Sequence, residues 1–244
     1  MNKQTGFTLI ELAIVLVIIG LLLGGVLRGQ ELINSAKVKN MARDFQIVQV
    51  YIYGYQDKFK ALPGDDAAVA THVTGGTAGS TGTLGNGVIQ GAWNTTANGD
   101  ESCVFWQHVR FAGLAPGSTV VNCAAGNTYQ PRNADGGLIG VQSVSGFAAI
   151  TGMTGAYVVC SEAILGKFAK QLDITLDDGV GSTGSVKVAV SGTASAGIAA
   201  PDDATPTWCA WLSELNFIYK SSPLSAGFLF CFAQFNYCLM LVLN

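Results

Sequence analysis

Glu11 is the one ionisable side chain in FTLIELAIVLVIIGLLLGGVL, the 21-residue stretch from Phe7 to Leu27. A carboxylate in hydrocarbon costs about 2.5–3.5 kcal/mol on insertion scales, so it calls for a partner. No lysine or arginine lies within one helical turn of it. A free α-amino group would serve, and cleavage after Gly6 would create one on Phe7. A neighbouring copy of the chain could then bring its Phe7 amine to this Glu11. That arrangement makes a helix bundle held by packing plus one charge pair, and it sets the axial stagger between copies.

The other chemistry-bearing residues are scattered. Six cysteines occur, at 103, 123, 160, 209, 231 and 238, with no CxxC and no Cys/His cluster, so zinc is not expected. Well-separated cysteines in an exported chain favour disulfides and an oxidising compartment. Cys103, Cys123, Cys160 and Cys209 lie in the main body, and four cysteines allow three connectivities. Cys103–Cys123 with Cys160–Cys209 is the favoured one. His72 and His108 stand apart from any nucleophile and read as structural. Asp65-Asp66, Asp177-Asp178 and Asp202-Asp203 are adjacent carboxylates of a kind that can bind Ca²⁺ through oxygen. They match no ligand pattern and read as solvated turns, so no catalytic residue, metal site or cofactor is expected. A net charge of −3 lacks the basic footprint of a nucleic-acid binder.

Long elements must position these groups. The 21 residues from Phe7 to Leu27 would make a helix of roughly 31 Å, the thickness of a bilayer core. Only 12% of the chain is charged and mean hydropathy is +0.38, which suits a membrane segment. Beyond Arg28, Val38, Met41, Phe45, Val48, Ile52, Tyr55 and Phe59 follow steps of three and four. That stripe predicts one unbroken helix from the membrane to about Lys60, stopped by Leu62-Pro63-Gly64. Residues 65–96 are rich in Gly and Thr and read as a surface excursion. CVFWQHVRFAGLAPG predicts a short amphipathic helix with Phe105, Val109 and Leu114 inward, N-capped by Asp100 or Ser102. Strand character appears at Leu138–Val144, Gly155–Val159, Ser185–Val190 and Thr119–Asn122, and a second helix at Ser161–Leu172. The fold class expected is α+β, a long helix laid on an antiparallel sheet.

Lys3, Gly6, Phe7, Thr8, Leu9, Ile10 and Glu11, followed by the apolar run, resemble the N-terminal signal of type IV prepilins and type II secretion pseudopilins. The resemblance implies cleavage by a prepilin peptidase between Gly6 and Phe7 and N-methylation of Phe7. It also implies that Glu11 is the glutamate at the fifth mature position, the assembly residue. One departure is the lack of any proline before Pro63, where many family members carry one in this helix. Gly20, Gly24, Gly25 and Gly29 are the residues that could loosen the helix instead.

The organisation expected is a leader at 1–6, a transmembrane and polymerisation helix at 7–27, an amphipathic helix at 28–60, a head at 61–209 and an atypical tail at 210–244. The tail has no charge after Lys220. It reads as a buried or interface segment, a second span or a frame-shifted end, with a native span disfavoured. Gln234, Asn236 and Tyr237 would each be costly in lipid. The resemblance implies a filament subunit and not an enzyme, with identical or related subunits and the assembly machinery as partners. It would sit in the inner membrane, head outward, before joining an extracellular filament or a periplasmic pseudopilus. Its rivals are a pseudopilin of a secretion system and a membrane-anchored exported binding protein.

Overall fold

The computed structural model describes residues 8–126, 128–146, 150, 152–190, 197 and 206–213, with 190 and 206–213 as backbone. Helix α1 runs unbroken over Leu9–Phe59, 51 residues and roughly 76 Å long. Gly20, Gly24, Gly25 and Gly29 do not interrupt it. It ends where Lys60 turns left-handed at φ 56°, its N–H donating to the Gln56 carbonyl. The 18-residue window that reaches a mean hydropathy of 2.8 is wholly uncovered, whereas Val38, Met41, Phe45, Val48, Ile52 and Tyr55 are buried. One helix therefore carries two surfaces: apolar all round near its start, and a single apolar face near its end.

That face meets a short turn α2 (Val69–His72), helices α3 (Glu101–Phe111) and α4 (Gly166–Leu176), and an antiparallel sheet. The strands are β1 (Ile139–Ser143), β2 (Tyr157–Ser161), β3 (Ile164–Leu165), β4 (Val188–Val190) and β5 (Pro206–Ser213). The order is β1-β2-β5-β3, and β4 also pairs with β5. Phe105, Trp106 and Val109 of α3, Val141 of β1, Val159 of β2 and Leu172 of α4 close one core around Met41, Phe45 and Ile52.

Several expectations change. Helix α3 is not amphipathic in context: every residue from Glu101 to Arg110 is buried, because the loop of residues 65–99 folds over its outer side. Asp100 holds the N-cap position but caps nothing, since its carboxylate is taken by the Thr95 hydroxyl, and Ser102 donates to the Ala92 carbonyl. Thr119–Asn122 is loop, not strand, with Val120 74% exposed and nothing to pair against. The predicted helix at Ser161–Leu172 starts later, at Gly166, because Ser161 ends β2 and Ala163 turns at φ 57°.

β5 has no counterpart among the strands read from sequence. It runs through the 209/210 junction between the expected head and tail, pairing Val158 with Ser213 and Cys160 with Trp211. The rest of the tail, 214–244, lies outside the described residues. A chain ending at Ser213 is expected to keep a protease-resistant head, and one ending at Thr205, without β5, to lose it. Limited proteolysis of the two truncations checks this.

Candidate functional site

The N-terminus of α1 is built by its own sequence. Thr8 is extended at φ −78° and ψ 149° and caps the helix. Its hydroxyl accepts from the Glu11 N–H at 3.4 Å, while Glu11 Oε2 accepts from both the Thr8 N–H and the Thr8 hydroxyl at 2.8 Å each. This is the reciprocal T-x-x-E capping box, a signal present in Thr8-Leu9-Ile10-Glu11 that the sequence reading passed over. Both bonds fall on Oε2, so Glu11 Oε1 is left for another donor. The first turn has no basic side chain, and Leu9 and Ile10 are 88% and 68% exposed. An acceptor oxygen is therefore presented among uncovered apolar side chains. Gly6 and Phe7 lie outside the described residues.

The model of the prokaryotic N-terminal methylation motif matches residues 1–27. The chain carries a prepilin-type signature. No curated protein and no solved structure matches the chain. A signature of this type supports a processed subunit of pilin or pseudopilin kind, and it implies processing by a prepilin peptidase and assembly with pilin subunits. That is a structural class of protein. Its N-terminal helix is long and apolar enough to cross a membrane, which suggests membrane anchoring. Behind the prepilin-type signature, the α+β arrangement of a long helix on an antiparallel sheet is the one expected of such a subunit.

In the head, Cys103 of α3 and Cys123 are joined, with Cα atoms 6.2 Å apart. Cys160 is buried on β2, and Cys209 lies on β5, two residues from Trp211, the partner of Cys160. The side chain of Cys209 is outside the described set, so Cys160–Cys209 stands as a proposal. Replacing Cys103 and Cys123 together by Ser opens a loop of 20 residues. It is expected to cost about 3 kcal/mol, seen as a lower denaturation midpoint under non-reducing conditions.

The histidines and the first acidic pair are structural, but Asp65 and Asp66 are not solvated turns, being 2% and 1% exposed. Asp65 accepts from the Gly85, Asn86 and Gly87 amides, pinning the glycine-rich loop. Asp66 accepts from the Tyr55 hydroxyl at 2.7 Å and meets His72 Nδ1 at 2.6 Å. Burial would raise the Asp66 carboxyl, but His72, Tyr55 and the Ala68 amide outweigh it and lower it. His108 accepts from the Gly64 N–H through Nδ1 and donates to the Thr77 carbonyl through Nε2, with burial holding it below its ordinary value. Thus LPGDD is the junction at which α1, the loop and α3 are tied together.

Glu101 was missed altogether. It is fully buried, Oε2 accepts from the Gln90 N–H at 2.7 Å, and Oε1 has no partner. Burial, reinforced by Asp65 and Asp100 against that amide, pushes it up to about 7. A raised carboxyl binds more protons folded than unfolded, so stability falls as pH rises from the usual carboxylate range through about 7. His108 acts the other way, losing stability only as pH falls below its ordinary value. Between pH 5 and 7 the thermal midpoint is expected to drop more steeply with rising pH in the parent chain than in Glu101→Gln.

Proposed function

We propose that the chain is a structural subunit of a type IV pilus-like filament, a pilin or minor pilin. The supporting observation is the joint one of a prepilin-type signature at residues 1–27 and a helix whose first half is apolar all round and uncovered. Such a surface needs lipid before assembly and the helices of other subunits after it. The leader 1–6 is removed between Gly6 and Phe7, Phe7 is N-methylated, and the helix leaves the inner membrane for the filament. Glu11 receives the Phe7 amine of an adjacent subunit on Oε1 while Oε2 continues to cap its own helix. The head, from 61 to the end of β5 at Ser213, forms the surface, and the Gly/Thr-rich loop that α3 supports favours an outward-facing pilin over a pseudopilin.

Mass spectrometry of the protein purified from its own host tests the processing: the expected N-terminus is N-methylated phenylalanine, and a chain beginning at Met1 overturns the reading. Immunogold labelling of sheared surface fibres separates pilus from pseudopilus. Label along long fibres supports the pilin, and label retained in the envelope supports the secretion rival.

A further inference from the structure

A cavity of about 380 Å³ opens between α1, α3 and the loops that follow α3. Its size is at the small end of ligand pockets, which run from about 300 to 1,000 Å³. Asp44, Ile47 and Tyr51 line it from α1, at helical spacing on one face. Trp106 and Arg110, one turn apart, line it from α3, and Pro116, Tyr129 and Pro131 from the loops. Most of the lining is apolar, with a few polar groups converging on it, which is the usual make-up of a small-molecule site.

Two opposite charges on this lining lack a counter-charge. Arg110 is 9% exposed, and among the described residues no carboxylate stands at ion-pair distance from it. Its three bonds go to the Pro116, Ser118 and Tyr129 carbonyls, and it lies over the Trp106 and Tyr129 rings at 5.9 and 4.6 Å. Carbonyls and rings do not neutralise it, and a guanidinium carries five N–H groups, so two remain to be used. Asp44 is half-buried, and among the described residues its carboxylate makes no hydrogen bond and no ion pair, although Arg43 beside it attracts it. Burial, then the Asp44 charge, raise the Tyr51 hydroxyl and Arg110 lowers it, so that one phenol is within reach of both charges. Trp106 is 1% exposed, and its indole N–H has no acceptor.

We propose that this cavity binds a small apolar amino acid, a zwitterion whose ammonium meets Asp44 and whose carboxylate faces Arg110. Asp44 and Arg110 share one cavity without closing on each other, so a guest carrying both charges answers both. An amine alone would leave Arg110 as it is, and a carboxylate alone would add a like charge near Asp44. Arg132, exposed on the same lining with its Nη1 donating to the Gly136 carbonyl, adds a second cation that favours the guest's carboxylate. The apolar side chain of the guest lies against Tyr51, Tyr129, Pro116 and Pro131, whose ring faces suit an aromatic group. The site lies outside the signature and is independent of the filament reading.

The experiment is isothermal titration calorimetry of the full-length chain in detergent micelles. The probes are L-phenylalanine, which carries both charges, and 3-phenylpropionate and 2-phenylethylamine, which carry one each. Phenylalanine is expected to bind saturably in the submillimolar range, about tenfold more tightly than either single-charge probe. Asp44→Asn removes a carboxylate that holds nothing in the free chain. It is expected to keep the parent's thermal midpoint, to weaken phenylalanine about tenfold and to leave 3-phenylpropionate no weaker. Ile47→Trp, at a position on the lining that is 39% exposed, fills the space and is expected to abolish phenylalanine binding. Heat that the single-charge probes still give with Ile47→Trp is micelle uptake and is subtracted. No saturable binding at millimolar phenylalanine, equal affinity for a single-charge probe, or an unchanged affinity in Asp44→Asn or Ile47→Trp overturns the site.

Discussion

Gly6→Val is expected to accumulate as an uncut precursor in the inner membrane, with processed chain below detection. The proposed scissile bond lies between Gly6 and Phe7, where a peptidase that requires a small residue would meet a β-branched one. The consequence reaches beyond six retained residues. Without the cut there is no α-amino group on Phe7, so the cation proposed to meet Glu11 is never made, and the leader's Lys3 stays attached. Intact-mass measurement of the membrane fraction reads the outcome directly. A chain beginning at Phe7 would show that the bond is chosen by some other feature.

Glu11→Ala is expected to be inserted and cut normally and to fail in assembly. An amine buried without its counter-charge typically costs about 3–5 kcal/mol, which is about two to four orders of magnitude in each subunit contact. The capping box makes the test sharper, because Glu11 also holds Thr8. Glu11→Gln keeps an acceptor for the Thr8 N–H but loses the charge, whereas Thr8→Ala loses only its half of the cap, worth about 1 kcal/mol. If charge pairing governs assembly, Gln fails with Ala and Thr8→Ala still assembles. If the cap governs it, Thr8→Ala fails as well. Filaments formed by Glu11→Ala as the only copy would remove the pairing from the account.

What could be read from the sequence follows from periodicity. The stripe from Val38 to Tyr55 repeats the helical period for five turns, and its burial is as expected. The Thr8–Glu11 box was equally local and could have been read, since both partners lie three residues apart. The polar core of the head was not legible. Asp65 is buried by amides about twenty positions away and Glu101 by the Gln90 amide, and pairs of that kind carry no spacing signal. α3 was misjudged for the same reason: its charged residues looked solvent-facing, but Arg110 spends its guanidinium on the Pro116, Ser118 and Tyr129 carbonyls. β5 escaped because PTWCAWLS lies against a stretch so apolar that its composition suggested lipid, not a strand.

β5 also imposes an order on the birth of the molecule. A chain that folds from its N-terminus forms α1 first, then α3 and the hairpin of β1 and β2. The edge of β2 stays unpaired until Ser213 has emerged, since Val158 waits for it. β3 and β4 wait for the same strand. An open sheet edge is an invitation to any other extended chain. The nascent head thus has an interval of vulnerability that ends only with the arrival of its eight-residue final described strand.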